Sequence, residues 1–274
     1  MPLGSRQAVL EELRARVAAL EQGGGRRSGA GNGTAPLGIS AIDGLLPGGG
    51  LPIGSVHEIV GEAGSGAAAG FAAALLVRIG RLAGGAAPVL WCLSRPELYG
   101  PGLAALGVDP ARLVVAQARA RADLLWAAEE GLRCPALLAV VAEMGGIGIG
   151  TKDSRRFQLA AEAGGVTGFL LREDGPSGKG RAAPAALGVT TWRVAPAPRE
   201  EGAGKGVPRA RWRLELARCR GGGTGSWVVD WDDGTGDFAV AAELPDRPHH
   251  AGARRGEGGH RHGRGRAGAG TAGR

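Results

Sequence analysis

Residues 60–70 read VGEAGSGAAAG, and their glycines are spaced for one kind of chemistry. Gly61 and Gly66 stand at the separation of the phosphate-binding template G-x-x-x-x-G-K-[ST], with Gly64 and Ser65 between them. In that template backbone N–H groups cradle a polyphosphate, the lysine neutralises its outer phosphates and the hydroxyl holds magnesium. The two positions that carry charge and metal are Ala67 and Ala68 in this chain. An amide cradle for an anion is still available in such a loop. The groups that drive phosphoryl transfer are gone. With 53 glycines among 274 residues, glycine spacing alone carries little weight, and the loop has to be judged by its surroundings.

A phosphate loop works only where a strand feeds a helix. SVHEIVG predicts the strand before it, and GAAAGFAAALLVRIGRLA the helix after it. PVLWCLS, RLVVAQ, ALLAVVAEM and VTGFLLRE predict four further strands, separated by helical stretches near 98–106, at RADLLWAAEEGLR and at KDSRRFQLAAEAG. Apolar runs alternating with helices of this length imply crossover units and a sheet covered on both faces. After an insertion at 173–188 the texture changes. VTTWRVAP, ARWRLELARCR and SWVVDWDD alternate polar and apolar residues between Pro- and Gly-rich turns. The expected fold is therefore α/β, three layers with a mostly parallel central sheet and antiparallel edge strands at its C-terminal end. Ahead of it, 1–22 predicts an amphipathic helix with Leu10, Leu13, Val17 and Leu20 on one stripe, and 23–36 a glycine-rich linker. The main domain is expected over 37–245, followed by a disordered Gly/Arg/His tail at 246–274.

The longer phrase PLGISAIDGLLPGGGLPIGSVHEIVGEAGSG resembles the opening of the RecA recombinase core. LGVDPARLVVAQ resembles the RecA segment leading into the third strand, and ALLAVVAEM sits where RecA has its acidic metal-site strand. The departures all fall on chemistry. Beside Ala67 and Ala68, Arg95 stands where RecA-type ATPases keep the glutamate that activates water. Ala142 takes the position of the acidic strand end, with Glu143 next to it, and Arg172 falls near a phosphate-sensing glutamine. Each such contact is worth a few kcal/mol in a transition state, so four losses together argue against hydrolysis. The chain is expected not to be an enzyme, and to bind ATP weakly or not at all, with no cofactor.

PVLWCLSRPELYGPGLAALGVD, SRRFQLAAEAGGVTGFLLR and the tryptophan phrases TTWRVAPAP and RARWRLELARCRGG extend the likeness beyond RecA. From about Arg6 to Leu244 the chain is similar to the ImuA family, RecA-like accessory proteins of damage-inducible mutagenesis cassettes. What that implies is translesion DNA synthesis under SOS control, beside a catalytically inactive Y-family polymerase relative (ImuB) and an error-prone C-family DNA polymerase. RecA and DNA are further candidate partners. The resemblance implies a cytoplasmic protein, nucleoid-associated when active. A weak DNA-dependent ATPase using Glu143 is the competing reading, and a SulA-like inhibitor of cell division is an outsider.

Other residues have two readings each. Lys152, Arg155 and Arg156 open a helix whose other face is Phe157, Leu159 and Ala160, and are either a solvated face or a DNA contact. Lys179 and Arg181 lie in the insertion, at the position of a mobile DNA-binding loop in RecA, yet Glu173 and Asp174 nearly balance them. Trp192, Trp212, Trp227 and Trp231 alternate with arginines. Such strands are stacking platforms or partner surfaces when exposed and core when buried, and core is expected for at least two of the four.

The net charge of +7 is no evidence for a basic domain, because +5 of it falls in 246–274. His249, His250, His260 and His262 in that tail lack a frame to hold a metal. Cys92, Cys134 and Cys219 have no C-x-x-C spacing and are expected as free thiols. No run is long and apolar enough for a membrane span.

Overall fold

The computed structural model describes residues 33–85, 87–145, 149–174, 188–198 and 210–244. The N-terminal stripe of Leu10, Leu13, Val17 and Leu20, the insertion residues Lys179 and Arg181, and the tail lie outside the described residues.

In chain order the elements are β1 (Thr34–Ala35), α1 (Ser40–Asp43), β2 (Leu51–Pro52), β3 (Val56–Glu62), α2 (Ala67–Leu82), β4 (Val89–Leu93), α3 (Gly100–Ala105) and β5 (Leu113–Gln117). They continue with α4 (Arg121–Leu132), β6 (Ala139–Gly145), α5 (Thr151–Gly164), β7 (Thr167–Asp174), β8 (Thr190–Pro196), β9 (Arg211–Cys219), β10 (Gly225–Asp232) and β11 (Asp237–Leu244). Nine strands form one sheet in the order β11-β10-β9-β8-β3-β7-β6-β4-β5. From β8 to β5 all neighbours are parallel, and from β8 to β11 they are antiparallel. The fold is α/β, with a large, mostly parallel mixed sheet. Among the described residues no helix is long and apolar enough to cross a membrane.

Strand alternation divides the core in two. Trp91, Val141 and Phe169 face α2, in one cluster with Phe71, Leu75 and Ile79. Leu90, Cys92 and Val140 face the other way, onto Leu124 and Ala128 of α4 and Phe157 and Ala161 of α5. Helices thus cover the parallel strands on both faces, as their near-continuous apolar sequences require.

Two boundaries differ from expectation. Thr34 and Ala35 pair with Pro52 and Leu51, and Ala35 is buried, so the fold begins inside the glycine-rich stretch. Glu173 and Asp174 complete β7 beside Gly61 and Glu62. β11 itself was not expected. Three of the eight residues of DFAVAAEL are alanines, which blur its alternation, and pairing with β10 makes it a strand.

The tryptophans require a correction. Trp192, Trp212, Trp227 and Trp231 are all at most 5% exposed, so none forms a partner surface. They line the face of β8–β10 that lies under α2. There the Phe71 ring meets Trp192 at 5.6 Å, Trp212 at 6.1 Å and Phe238 at 5.8 Å. The arginines between them occupy the opposite, wetter face. Arg211 donates twice to Asp230, at 2.7 and 2.8 Å, and Arg193 sits directly across from Glu215.

Candidate functional site

A glycine-rich loop joins the end of β3 at Glu62 to the start of α2 at Ala67. Gly64 and Gly66 take left-handed φ of 70° and 66°, values that favour glycine. A Cβ on Gly61 would stand 2.8 Å from that of Ala68, so the strand must pass the helix start without a side chain. Ser65 ties the turn together. Its hydroxyl donates to the Glu62 carbonyl at 2.6 Å and accepts from the Ala67 N–H at 3.2 Å. Ala67 and Ala68 are buried, and both pack into the core cluster around Phe71. The positions that carry lysine and hydroxyl in a working loop are used here for packing.

The charges around this loop have the wrong sign for a polyphosphate. The Gly64 N–H points to the Glu173 carboxylate, which accepts it at 3.4 Å. Glu143 is half-buried and accepts from the Trp91 indole N–H at 2.7 Å. Burial pushes its carboxyl above the usual range against that hydrogen bond, and the like charges of Glu97 and Glu173 push it further. Arg95 is exposed after β4.

Strand alternation also separates two residues that the sequence treated together. Ala142 is buried among α4 and α5, whereas Glu143 shares the α2 side with Val141. Of this pair only Glu143 therefore lies on the α2 side of the sheet, and Ala142 points away from it.

Arg172 is engaged in an ion pair. Its guanidinium pairs with Glu58, whose side chain is fully buried in the centre of β3. Glu58 also accepts from the Thr191 hydroxyl at 3.2 Å. One strand position away, His57 is equally buried. Its Nε2 lies 2.8 Å from the Pro52 carbonyl, which can only accept, so Nε2 carries the proton. Nδ1 then accepts from the Thr190 hydroxyl at 2.8 Å, and that hydroxyl accepts from the Trp192 indole at 2.9 Å. Sequence reading missed both groups. The signal was two adjacent polar residues in the middle of an otherwise apolar central strand.

The candidate DNA contacts among the described residues, Lys152, Arg155 and Arg156, are all exposed. Arg156 is occupied. It pairs across the α4–α5 interface with Glu129, a buried carboxylate that also accepts from Arg133 at 2.6 Å. Leu159, expected on the buried face, is 52% exposed. Arg156→Ala is expected to cost about 1 kcal/mol, since Glu129 keeps Arg133, and Arg155→Ala less than about 0.5 kcal/mol. Urea melts of the two variants check this. Equal losses would contradict the assignment of Arg156 to the helix interface.

No family model matches the chain. Two curated relatives, both called "Protein ImuA" and both from Caulobacter vibrioides (strains NA1000 / CB15N and ATCC 19089 / CIP 103742 / CB 15), are each 37% identical to it over 224 residues. Each match covers 77% of this chain and 89% of the relative.

Proposed function

The chain belongs to the ImuA family, and from that premise we propose that it is a RecA-like accessory protein of damage-induced mutagenic translesion synthesis that does not hydrolyse ATP. Its role in this reading is that of an adaptor. It acts beside an ImuB-type inactive Y-family polymerase relative and an error-prone C-family polymerase, with RecA and DNA as further candidate partners. The sheet order, with helices on both faces and a strand–loop–helix unit at its centre, supports a RecA-like three-layer core.

One observation carries the non-hydrolysing part. The loop amide that would meet a phosphate meets the carboxylate of Glu173, and Glu173 also acts as a like charge on Glu143. Two like unit charges 4 Å apart near a protein surface repel by about 4 kcal/mol. A hydrogen bond from an amide to a charged group returns about 1.5–3 kcal/mol. A triphosphate on this loop would therefore have to displace the Glu173 carboxylate from the Gly64 amide and meet its repulsion. Installing the missing cation should not reverse this. Ala67→Lys is expected to leave the affinity for a fluorescent ATP analogue unchanged within severalfold, and a gain of a hundredfold by equilibrium titration would contradict the reading.

One observation favours a DNA-dependent ATPase instead, namely that Glu143 faces the loop side of the sheet. Against it stand Ala67 and Ala68, buried where charge and metal coordination are needed.

The adaptor role is tested by co-purification of the full chain with the ImuB-type partner. Stable co-elution is expected without nucleotide and unchanged by its addition. Failure to bind at micromolar concentrations, or binding only with ATP, would overturn it.

A further inference from the structure

At the end of the sheet opposite the phosphate loop lies a cavity of about 200 Å³ that no part of the nucleotide site uses. Its walls are Leu76 and Val77 of α2, Val89 at the start of β4, Val108 before β5 and Leu138 before β6. Gly80 and Gly107 also line it and contribute no side chain. The rim is charged. Arg112 pairs with Asp109 at 3.2 Å. Arg81 donates to the Gly234 carbonyl at 3.4 Å and meets no carboxylate among the described residues. The N–H groups of Gly84 and Gly85 close back onto the carbonyls of Arg81 and Gly80, so the negative end of α2 is capped locally. Two guanidinium groups thus face one carboxylate at the mouth of an apolar hole.

From this geometry we infer that the cavity is a docking pocket for a partner protein that presents a large apolar side chain with a carboxylate beside it. Bulky apolar anchors in a pocket carry most of the energy of such contacts, and a charged rim selects the flanking residue. An apolar cavity with an unmatched arginine at its mouth favours an acidic flank over a basic or neutral one. The adaptor reading gains a contact surface from this pocket and does not depend on it. Co-purification tests that reading, and the probes below test the pocket alone.

The experiment is fluorine NMR on the full chain with para-fluorophenylacetate and its neutral amide as probes. Saturable broadening of the carboxylate probe at millimolar concentrations is expected, with the amide at least about threefold weaker. Ala87→Leu, which fills the cavity from its wall, should abolish binding. Arg81→Gln with Arg112→Gln should remove the preference for the acid without removing the apolar contact, which keeps the test valid if Ala87→Leu does not fold.

No broadening, equal binding of the amide, or unchanged binding in Ala87→Leu would each overturn the inference. Binding seen only after Leu13→Asp would assign the pocket to the chain's own N-terminal stripe. Binding that weakens as protein concentration rises would assign it to a second copy. Either result overturns the partner assignment.

Discussion

Arg172→Leu is expected to destabilise the protein by about 3–5 kcal/mol, because it strips the partner from a fully buried carboxylate. Glu58 lies at 0% exposure in the central strand, and only Arg172 brings it a positive charge in the ion pairs of the described residues. The hydroxyl of Thr191 cannot replace a guanidinium. The companion variant separates this from loss of packing. Glu58→Gln with Arg172→Leu removes the charge as well as its partner and should recover most of the loss, since buried pairs are often replaceable as a unit. Urea unfolding of the wild type, the single variant and the double variant measures both. A mild loss in Arg172→Leu, below about 1 kcal/mol, would show that Arg172 is not holding Glu58. It would then be free for the phosphate-sensing position that the sequence suggested.

A second large effect is expected with acid. Burial lowers the His57 pKa from 6.5 to about 4, against the hydrogen bond to Pro52 that raises it. The folded state therefore binds the proton less readily than the unfolded chain does. Stability contributed by neutral His57 is complete above pH 6.5 and is lost as the pH falls from 6.5 towards 4. The full shift amounts to about 3 kcal/mol. The geometry gives the same direction. A proton on Nδ1 would turn the acceptor of the Thr190 hydroxyl into a donor, at the point where Trp192 already donates to that oxygen. Other groups contribute to acid unfolding, so the readout is a difference. His57→Gln is expected to start less stable at pH 7.5 and to lose less than the wild type between pH 6.5 and 4.5. Parallel slopes in the two proteins would contradict the assignment.

The parallel strands and the helices between them were legible because each is a dense apolar run of the right length, as in PVLWCLS or ALLAVVAEM. Register is what turned those runs into a site, and register is not visible in sequence. It sends Glu143 to the loop side and Ala142 away, and it brings Glu173 alongside Gly61. That Ala67 and Ala68 stand where the template has Lys and Ser/Thr was readable residue by residue, but the carboxylate on the Gly64 amide comes from the distant end of β7. Core was expected for at least two of the four tryptophans and holds for all of them, but which ones could form a partner surface was not legible for a related reason. Alternation with arginine fits a stacking surface and a half-buried sheet equally well, and Phe71 of α2 decides between them by covering their face. Glu58 and His57 show the same limit, since a polar pair in a central strand signals a buried network without naming its partners.

The central proposal is that the β3–α2 loop does not perform phosphoryl transfer. Phosphate release from ATP by the full chain, with magnesium and with saturating single-stranded DNA, tests that claim most directly. Release is expected to match a no-protein control and to be the same for the wild type and for Glu143→Ala. DNA-stimulated release by the wild type that Glu143→Ala abolishes would contradict the account and make the chain an ATPase.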